Sequence, residues 1–574
     1  MERRGCRMLY TLRCMQPAKW NARWKLWAAA VLSAALLELP FPLAGPLPAW
    51  RTVIAWFGLV PLLWAVLKAS AAKQPRPLRR GFLLAYLCGV LWFMGNCYWI
   101  RNTMMHYGDM PRGAPTLLLV GFSLVLGLYF GLFGLGVAMV RRATGDARQA
   151  LAIAPLLWVA LELAAARITS VPWDQLGYSQ VDNTLVNQLA PWTGVYGISF
   201  VLVAVNALIA GGVLLDRKMG RRVWGAVGAA LLLVGGAGVL IAPAKPEPSA
   251  EAVLIQPNLD VGSASNWTAP GEWDAHMAQF AQLAGESAKS DKLYIAGIPQ
   301  TGAPTGEMIP PPYATHPDLV VWPESPAPFD EADPRFMPSM AALARQVQAP
   351  LVVGGIGEDV SGGQLQNYYN SALVIGADGQ RVGRQDKIHL VPFGEYIPFQ
   401  QYLTFAHKLT GRVSTFSRGD ERKVFRLNGH RYGIFICYES VFADEVREFA
   451  ELGAEVLVNI SDDGWYGDTS APWQHLNMVR MRAIENRRWI LRDTNTGVTA
   501  VIDPEGSVRQ SIPRHQLGEL PAQYGFRDDI TYYTLHGDVF AWACAILGLG
   551  AVGGSARRLL GHFARRKVHN QVRS

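Results

Sequence analysis

Charged residues are scarce in this sequence, and acidic residues are scarcest outside one region. Only 17% of the 574 residues are charged and 50% are hydrophobic, whereas soluble proteins carry about 25% charged residues. The composition therefore argues against a soluble enzyme. Residues 244–536 hold 36 Asp and Glu against 24 Lys and Arg, while the rest of the chain holds 9 against 29. The basic residues form no single face, which argues against a nucleic-acid partner.

Cysteine is also rare, because the chain has only six, too few for a secreted fold built on disulfides. Five of them lie in the N-terminal tail or in apolar runs, and only Cys437 lies in the acidic region. A lone thiol in an oxidising compartment persists where it is buried or where chemistry requires it. A structural cysteine and a nucleophile therefore both stay open at this point.

Apolar runs long enough to span a bilayer, which takes about 20 residues, recur through the rest of the chain. We predict eight membrane-spanning helices, seven before the acidic region and one after it, at 26–45, 52–69, 81–100, 115–140, 149–166, 194–215, 223–243 and 537–555. The first run is too long for a signal-peptide core and lacks a small-residue cleavage site. We therefore expect it to be retained.

The basic residues outside the acidic region alternate between the segments that connect these runs. Twenty-five lie in the two terminal segments and in every second loop, whereas the other loops hold only Arg51, Arg101, Arg112 and Arg167. Because Lys and Arg stay on the cytoplasmic side, both termini are predicted to be cytoplasmic. The predicted division is a membrane domain at 1–243, a periplasmic domain at 244–536, and a final span with a basic tail at 537–574.

The acidic region shows alternating strand and helix patterns. Short β-rich runs occur at 252–256, 319–322, 350–354, 371–375, 432–437, 456–460 and 497–502, and helical patterns occur at 272–288, 337–348, 441–452 and 473–486. Such alternation predicts a layered α/β or α+β core. The Pro- and Gly-rich stretch at 297–317 is interpreted as a long insertion.

Cys437 follows an apolar strand pattern and precedes a helical one. A strand–turn–helix of this kind exposes a nucleophile and directs backbone N–H groups towards a developing oxyanion. A thiol also needs a base and a cation to react near neutral pH. Glu324 and Lys387 are the candidates because each lies at a predicted strand end. Each could also be an ordinary surface charge when taken alone.

These residues carry a family resemblance. Val-Val-Trp-Pro-Glu ends at Glu324, His-Leu-Val-Pro-Phe-Gly-Glu follows Lys387 closely, and Cys-Tyr-Glu begins at Cys437. The set resembles the Glu–Lys–Cys triad of the nitrilase superfamily. The motifs Asp-Gly-Trp-Tyr-Gly-Asp at 463–468, Trp-Gln-His at 473–475 and Met-Arg-Ala-Ile-Glu at 481–485 resemble its membrane branch, the apolipoprotein N-acyltransferases. The resemblance implies a helical membrane domain of about eight spans and a nitrilase-like α-β-β-α sandwich outside the membrane.

The resemblance also implies an acyl transfer. Glu324 would be the general base, Cys437 would form a thioester, and Lys387 with the backbone N–H of Tyr438 would hold the oxyanion. The acyl donor would be a phospholipid such as phosphatidylethanolamine, the acceptor a diacylated apolipoprotein, and the setting the bilayer of the bacterial inner membrane. No cofactor and no metal are expected.

Other residues are given supporting roles by the same resemblance. Glu395 would orient Lys387 or the base, and Glu439 would support the cysteine turn. His389 and His475 are interpreted as structural. The aromatic residues that are candidates for contacting acyl chains, or alternatively for ordinary packing, are Trp465, Tyr466 and Trp473.

The sequence departs from the family pattern at Asp462, Gly464 and Asp493, and the insertion at 297–317 is unusually long. None of these departures removes a triad residue, but they affect the expected lining of the pocket. Two alternative functions stay open. One is a membrane-tethered amidase that uses the same triad on small amides, and the other is a non-enzymatic transporter or scaffold.

Overall fold

The structure is a computed structural model that describes residues 24–71, 74–108, 110–214, 247–261, 271–287, 316–324, 329–361, 364–392, 394–396 and 416–571, with three isolated positions, 225, 228 and 229. The described residues form a helix bundle and a pair of β-sheets that contact each other. The predicted insertion at 297–317 lies outside them except for its last two residues.

The helix bundle is built largely from the part of the chain before the first strand. Its helices there are α1 (Trp24–Glu38), α2 (Ala49–Thr52), α3 (Val60–Ala69), α4 (Pro77–Asn96), α5 (Trp99–His106), α6 (Ala114–Thr144), α7 (Ala147–Ile168), α8 (Thr184–Asn187), α9 (Ala190–Thr193) and α10 (Val195–Leu214). Among the described residues, six helical stretches are long and apolar enough to cross a membrane: Ala49–Ala69, Pro77–Asn96, Ala114–Thr144, Ala147–Ile168, Val195–Gly212 and Val539–His562.

These six stretches correspond to six of the eight predicted spans. The predicted span at 26–45 is represented by α1, which ends at Glu38 because Pro40 and Pro42 follow and cannot continue a helix. The predicted span at 52–69 is divided, since α2 gives way to a 3₁₀ turn before α3 begins. The predicted span at 223–243 lies outside the described residues apart from the isolated positions.

The acidic region contains twelve described strands and five of the remaining helices. The strands are β1 (Ala250–Gln256), β2 (Leu319–Val321), β3 (Leu351–Ser361), β4 (Gln364–Ile375), β5 (Arg381–Asp386), β6 (Val424–Leu427), β7 (His430–Ile436), β8 (Val456–Ser461), β9 (Trp489–Thr494), β10 (Thr499–Ile502), β11 (Val508–Ile512) and β12 (Gly518–Tyr524). The helices that follow α10 are α11 (Glu272–Ser287), α12 (Phe336–Val347), α13 (Ala443–Glu451), α14 (Ala471–Asn486), α15 (Tyr532–His536) and α16 (Val539–Gln571).

The strands form two six-stranded sheets with the orders β12-β1-β2-β3-β4-β5 and β11-β10-β9-β8-β7-β6. Side chains alternate between the faces of each strand, so that Leu254 joins Ile434 in the core between the sheets, whereas Val253 packs outward against α11 and α12. Helices α13 and α14 cover the outer face of the second sheet. The layers are therefore α-β-β-α, as the resemblance implies.

Five strands were not expected from the sequence pattern: β5, β6, β9, β11 and β12. β9 shows the reason most clearly, because it is completely buried and yet carries Arg492 and Asp493. Charged residues argue against a buried strand when the sequence is considered alone. Here the Arg492 guanidinium pairs with Asp463 at 2.6 Å inside the fold.

The helix bundle and the sheets meet around α14, of which every residue except Trp473 is buried. The Arg482 guanidinium of this helix donates to the hydroxyl of Tyr178 at 3.0 Å. At the end of α7, Arg167 pairs with Asp538 at 2.6 Å and also with Asp444. The end of the bundle that carries these contacts is therefore fixed against the sheet region.

Helices α4 and α6 approach closely because glycine lines their contact. A Cβ added at Gly134 would lie against the Gly81 carbonyl oxygen and 2.5 Å from the Ala85 Cβ. Small residues let membrane helices pack backbone to backbone.

We expect Gly134→Ala to destabilise the protein by about 1–3 kcal/mol, because the added methyl group overpacks this contact. Gly121→Ala, on the same helix, is the matched control, since a Cβ there has no atom within 4 Å. Thermal unfolding of both variants in detergent measures the difference. Equal unfolding midpoints for the two variants would show that α4 and α6 can move apart without loss of stability.

Candidate active site

The three predicted reactive residues each follow a strand. Glu324 comes three residues after β2, Lys387 directly after β5, and Cys437 directly after β7. The first two belong to one sheet and the third to the other. The sandwich therefore brings together residues that are up to 113 positions apart in sequence.

Glu324 and Lys387 form a buried ion pair. The Lys387 Nζ lies 2.9 Å from Glu324 Oε1 and 2.8 Å from Glu395 Oε1, and Lys387 is only 1% exposed. Burial would lower the pKa of Lys387, but the Glu324 and Glu395 carboxylates raise it well above its ordinary value. The ammonium is therefore retained in a site without water contact. Glu395 also accepts from the backbone N–H of Val391 at 2.7 Å.

Asn370, on β4, is a site residue that the sequence reasoning missed. Its Nδ2 donates to Glu324 Oε1 and to Glu395 Oε1, each at 2.7 Å. The Asn370 side chain thus holds both carboxylates in position. The only signal in the sequence is a polar residue directly before the β-rich run at 371–375, and this signal does not distinguish Asn370 from other polar residues.

Glu324 has a second set of partners. Its Oε2 accepts from the backbone N–H of Asp462 at 2.8 Å. Burial would raise the pKa of Glu324, but Lys387, with hydrogen bonds from Cys437 and Asn370, holds that pKa below its ordinary value. Glu324 is therefore an ionised carboxylate beside the thiol.

Cys437 begins a 3₁₀ turn that covers Cys437–Val441. Its φ of 51° lies in the left-handed region, which is uncommon for a residue with a side chain. Burial, together with the Glu324 carboxylate, raises the pKa of Cys437 well above its ordinary value. The resting site therefore contains a neutral thiol next to an ionised base, so the thiol can be activated by proton transfer to Glu324.

Glu439 connects the cysteine turn to the lysine segment. One carboxylate oxygen accepts from the backbone N–H of Ile436 at 2.7 Å, and the other accepts from Ile388 at 2.6 Å and His389 at 3.2 Å. Ile436 directly precedes Cys437, and Ile388 and His389 directly follow Lys387. Glu439 therefore fixes the backbone segments that carry the thiol and the ammonium relative to each other.

His475 lies behind the cysteine turn, completely buried. Its Nδ1 is 2.9 Å from Asp463 Oδ1, and its Nε2 is 2.6 Å from Ser440 Oγ and 3.1 Å from the Cys437 carbonyl oxygen. Burial would raise the pKa of Asp463, but the Arg492 guanidinium and His475 hold it far below its ordinary value. His475 thus contacts the backbone of the turn, and His389 pairs with Glu445 at 3.1 Å.

Two of the three aromatic candidates, Trp465 and Tyr466, lie beside α5, and Trp473 lies elsewhere. Tyr466 is buried with its ring 5.1 Å from that of Trp99, whereas Trp465 is 46% exposed. The Tyr438 ring stacks on Trp173 at 6.4 Å. Trp473 packs instead against the apolar layer between the second sheet and its outer helices.

The departures from the family pattern fit their surroundings. Asp462 Oδ1 accepts from the backbone N–H of Gly464 at 3.0 Å, and a Cβ at Gly464 would come within 2.5 Å of the Val261 side chain. Asp493 accepts from the backbone N–H of Ile255 at 3.3 Å. Across the described residues, no group of three or more His, Cys, Asp or Glu side chains could hold a metal ion.

Comparison with known proteins gives matches over most of the chain. The family model described as "Apolipoprotein N-acyltransferase N-terminal domain" matches residues 22–208, and that described as "Carbon-nitrogen hydrolase" matches residues 275–523. The chain is similar to the apolipoprotein N-acyltransferase of Geobacter metallireducens, with 35% identity over 94% of this chain and 96% of the relative. It is also similar to the apolipoprotein N-acyltransferase of Allorhizobium ampelinum, with 29% identity over 92% of this chain and 96% of the relative. Among solved structures, Nit3 of Saccharomyces cerevisiae, a nitrilase-superfamily protein, matches with 16% identity and a TM-score of 0.33 over 52% of this chain and 97% of that one.

Asp462 generates a pH-dependent prediction. Burial and the Glu324 carboxylate raise the pKa of Asp462 from 3.8 to about 8. The folded protein therefore holds a proton that the unfolded chain releases, so the contribution of this group to stability falls as the pH rises from about 4 to about 8 and is constant above that range.

We expect Asp462→Asn to raise the unfolding temperature relative to the unmodified protein, and to raise it more at pH 8 than at pH 5. The amide oxygen can still accept from Gly464, so the loop is kept. Thermal unfolding in detergent at the two pH values measures this, with Asp274→Asn, whose native carboxylate is 68% exposed, as the control for loss of one charge. An increase in unfolding temperature that is the same at both pH values would contradict the raised pKa of Asp462.

Proposed function

The chain belongs to the apolipoprotein N-acyltransferase family, and we propose that it transfers an acyl chain from a phospholipid to the α-amino group of the N-terminal diacylglyceryl-cysteine of apolipoproteins, through a thioester on Cys437. The observation that carries this mechanism is the meeting of a thiol from one sheet with the Glu324–Lys387 pair from the other. Phosphatidylethanolamine is the proposed donor.

The first half-reaction begins with transfer of the Cys437 proton to Glu324. The thiolate sulfur then attacks the ester carbonyl carbon of the donor, and the carbonyl oxygen becomes an oxyanion. An ammonium group has three N–H donors, and Glu324 and Glu395 occupy two of those of Lys387. The third has no acceptor among the described residues and is proposed to bind the oxyanion, with the backbone N–H of Tyr438 as the second donor. The ester C–O bond breaks, and the lysophospholipid leaves with the proton from Glu324.

The second half-reaction reverses these roles. The neutral α-amino group of the acceptor attacks the thioester carbonyl, and Glu324 takes one of its protons. The C–S bond then breaks, and the Cys437 sulfur recovers the proton from Glu324. A thioester suits this step because an amine attacks it more readily than an oxygen ester. The same carboxylate therefore acts as base and then acid in each half.

Protection from water is the second requirement, since hydrolysis of the thioester would waste the donor. Glu324, Lys387 and Cys437 are all buried. The hydroxyl of Tyr438, next to the nucleophile, donates to the Ser170 carbonyl in the segment after α7 at 3.1 Å. This contact with the membrane part favours substrates delivered from the bilayer. Trp465 and Tyr466, which contact α5 residues, are the proposed contacts for their chains.

The contact between Tyr438 and the segment after α7 also supports a membrane location for the protein. We propose an inner-membrane protein with a membrane domain at 1–243, a catalytic domain at 244–536 in the periplasm, and a last span with its cytoplasmic tail at 537–574. The alternation of basic loops supports both termini being cytoplasmic. An amidase tethered to the membrane would need the triad but would not need a contact between the Cys437 turn and the segment after α7.

We expect the Cys437 peptide to gain the mass of a fatty-acyl group when detergent-purified protein is incubated with phosphatidylethanolamine and no acceptor. Addition of a diacylated lipopeptide should remove this mass and yield the N-acylated product. Peptide mass spectrometry follows both steps. Cys437→Ala should give neither, while Cys97→Ala, which removes another buried thiol, should give both. Turnover of soluble amides without any acyl transfer would favour the amidase.

We expect Lys387→Arg to lower the acylation rate about 10²–10³-fold, the usual cost of losing an oxyanion donor. A planar guanidinium cannot replace a compact ammonium between two carboxylates. The half-exposed Lys423, changed to Arg, is the matched control. Single-turnover acylation measures the effect, and a near-normal rate in Lys387→Arg with an intact fold would refute the oxyanion role.

A further inference from the structure

A basic cavity that is open to solvent lies at one end of the helix bundle, apart from the active site, and its basic side chains are exposed. Its volume is about 470 Å³, and four of its lining residues carry basic side chains: Arg76, Arg79, Arg142 and His562. Three helices form it, since these residues come from the beginning of α4, the end of α6 and the later part of α16. The proposed acyl transfer uses none of them.

The helix directions place this cavity at the far end of the bundle. The last residue of α4, Asn96, accepts from Gln474 of α14 at 3.3 Å, and α16 begins after Asp538, which pairs with Arg167. The first turn of α6 is held by α5, whose Thr103 contacts the Trp465 carbonyl. All three helices therefore start or end at the sheet region and reach the cavity with their other ends.

The length of α4 indicates how far the cavity lies from the sheet region. The 20 residues of α4 span about 30 Å at 1.5 Å per residue, which is about the thickness of the hydrocarbon core. With the sheet region at one surface of the membrane, as proposed above, the cavity would lie at the level of the lipid headgroups of the opposite leaflet.

The charges of the cavity's arginines are not paired with any described residue. Within the part of the chain that the structure describes, the side chains of Arg76, Arg79 and Arg142 make no ion pair and no hydrogen bond. Arg76 caps α4 without a side-chain hydrogen bond, so the positive end of the helix dipole adds to the field. Its listed lining residues thus carry charge of one sign, and the guanidinium N–H groups have no acceptor among the described residues.

We propose that this cavity binds the phosphate group of an anionic phospholipid from the leaflet opposite the active site. Guanidinium groups match the geometry of phosphate oxygens, and basic pockets between membrane helices bind anionic headgroups. Leu78 and Leu559 also line the cavity, and they give the first carbons of a lipid an apolar contact that a free phosphate ion would not use. The bound lipid would join the ends of α4, α6 and α16.

Native mass spectrometry of the detergent-purified full-length protein with added phosphatidylglycerol tests this proposal. We expect phosphatidylglycerol to bind more tightly than phosphatidylcholine, whose headgroup has no net charge. Arg142→Gln should weaken phosphatidylglycerol binding about fivefold, the effect of one basic residue at a membrane surface. Arg76→Gln/Arg79→Gln should weaken it further.

Arg148→Gln is the matched control, because Arg148 is an exposed arginine at the start of α7 that does not line the cavity. Equal losses in Arg142→Gln and Arg148→Gln would overturn the proposal, since general surface charge would then explain the binding. Equal binding of phosphatidylcholine would overturn it too. Displacement of the lipid by millimolar inorganic phosphate would show a site for the soluble ion instead. Unfolding temperatures of the variants distinguish loss of binding from loss of fold.

Discussion

An ion pair buried away from water is stable only when additional hydrogen bonds offset the loss of hydration, and the Glu324–Lys387 pair meets this condition. Glu324 accepts from Asn370 and from the backbone of Asp462, while Lys387 is shared with Glu395. The surrounding groups thus keep both charges in place. Without them the carboxylate would take up a proton and could not serve as a base for Cys437.

Cys437, the proposed nucleophile, lies in a turn that a second set of contacts holds in place. Cys437 has a positive φ, and its carbonyl oxygen is contacted by His475, whose other ring nitrogen contacts Asp463. Glu439 joins this turn to the lysine segment. Positive φ at a non-glycine residue persists when the surrounding structure determines it. The two sets of contacts together fix the distance between thiol, base and ammonium.

The membrane part contributes to the same geometry. The hydroxyl of Tyr107, directly after α5, donates to the Gly464 carbonyl at 3.1 Å, and the Gly464 N–H donates to Asp462, whose own N–H donates to Glu324. A chain of hydrogen bonds thus runs from the helix bundle to the proposed base. This arrangement gives a physical reason for a catalytic domain to pack on membrane helices and not simply to be anchored by them.

The sequence alone determined the layered α/β region, most membrane helices and the motifs around Glu324, Lys387 and Cys437, because hydrophobic periodicity and local motifs are properties of neighbouring residues. It did not reveal Asn370, or strands such as β9 whose charges are paired within the fold. These features depend on contacts between residues far apart in the chain. Only the tertiary structure decides them, since burial makes a charge or an amide favourable when its partner is brought to it by the fold.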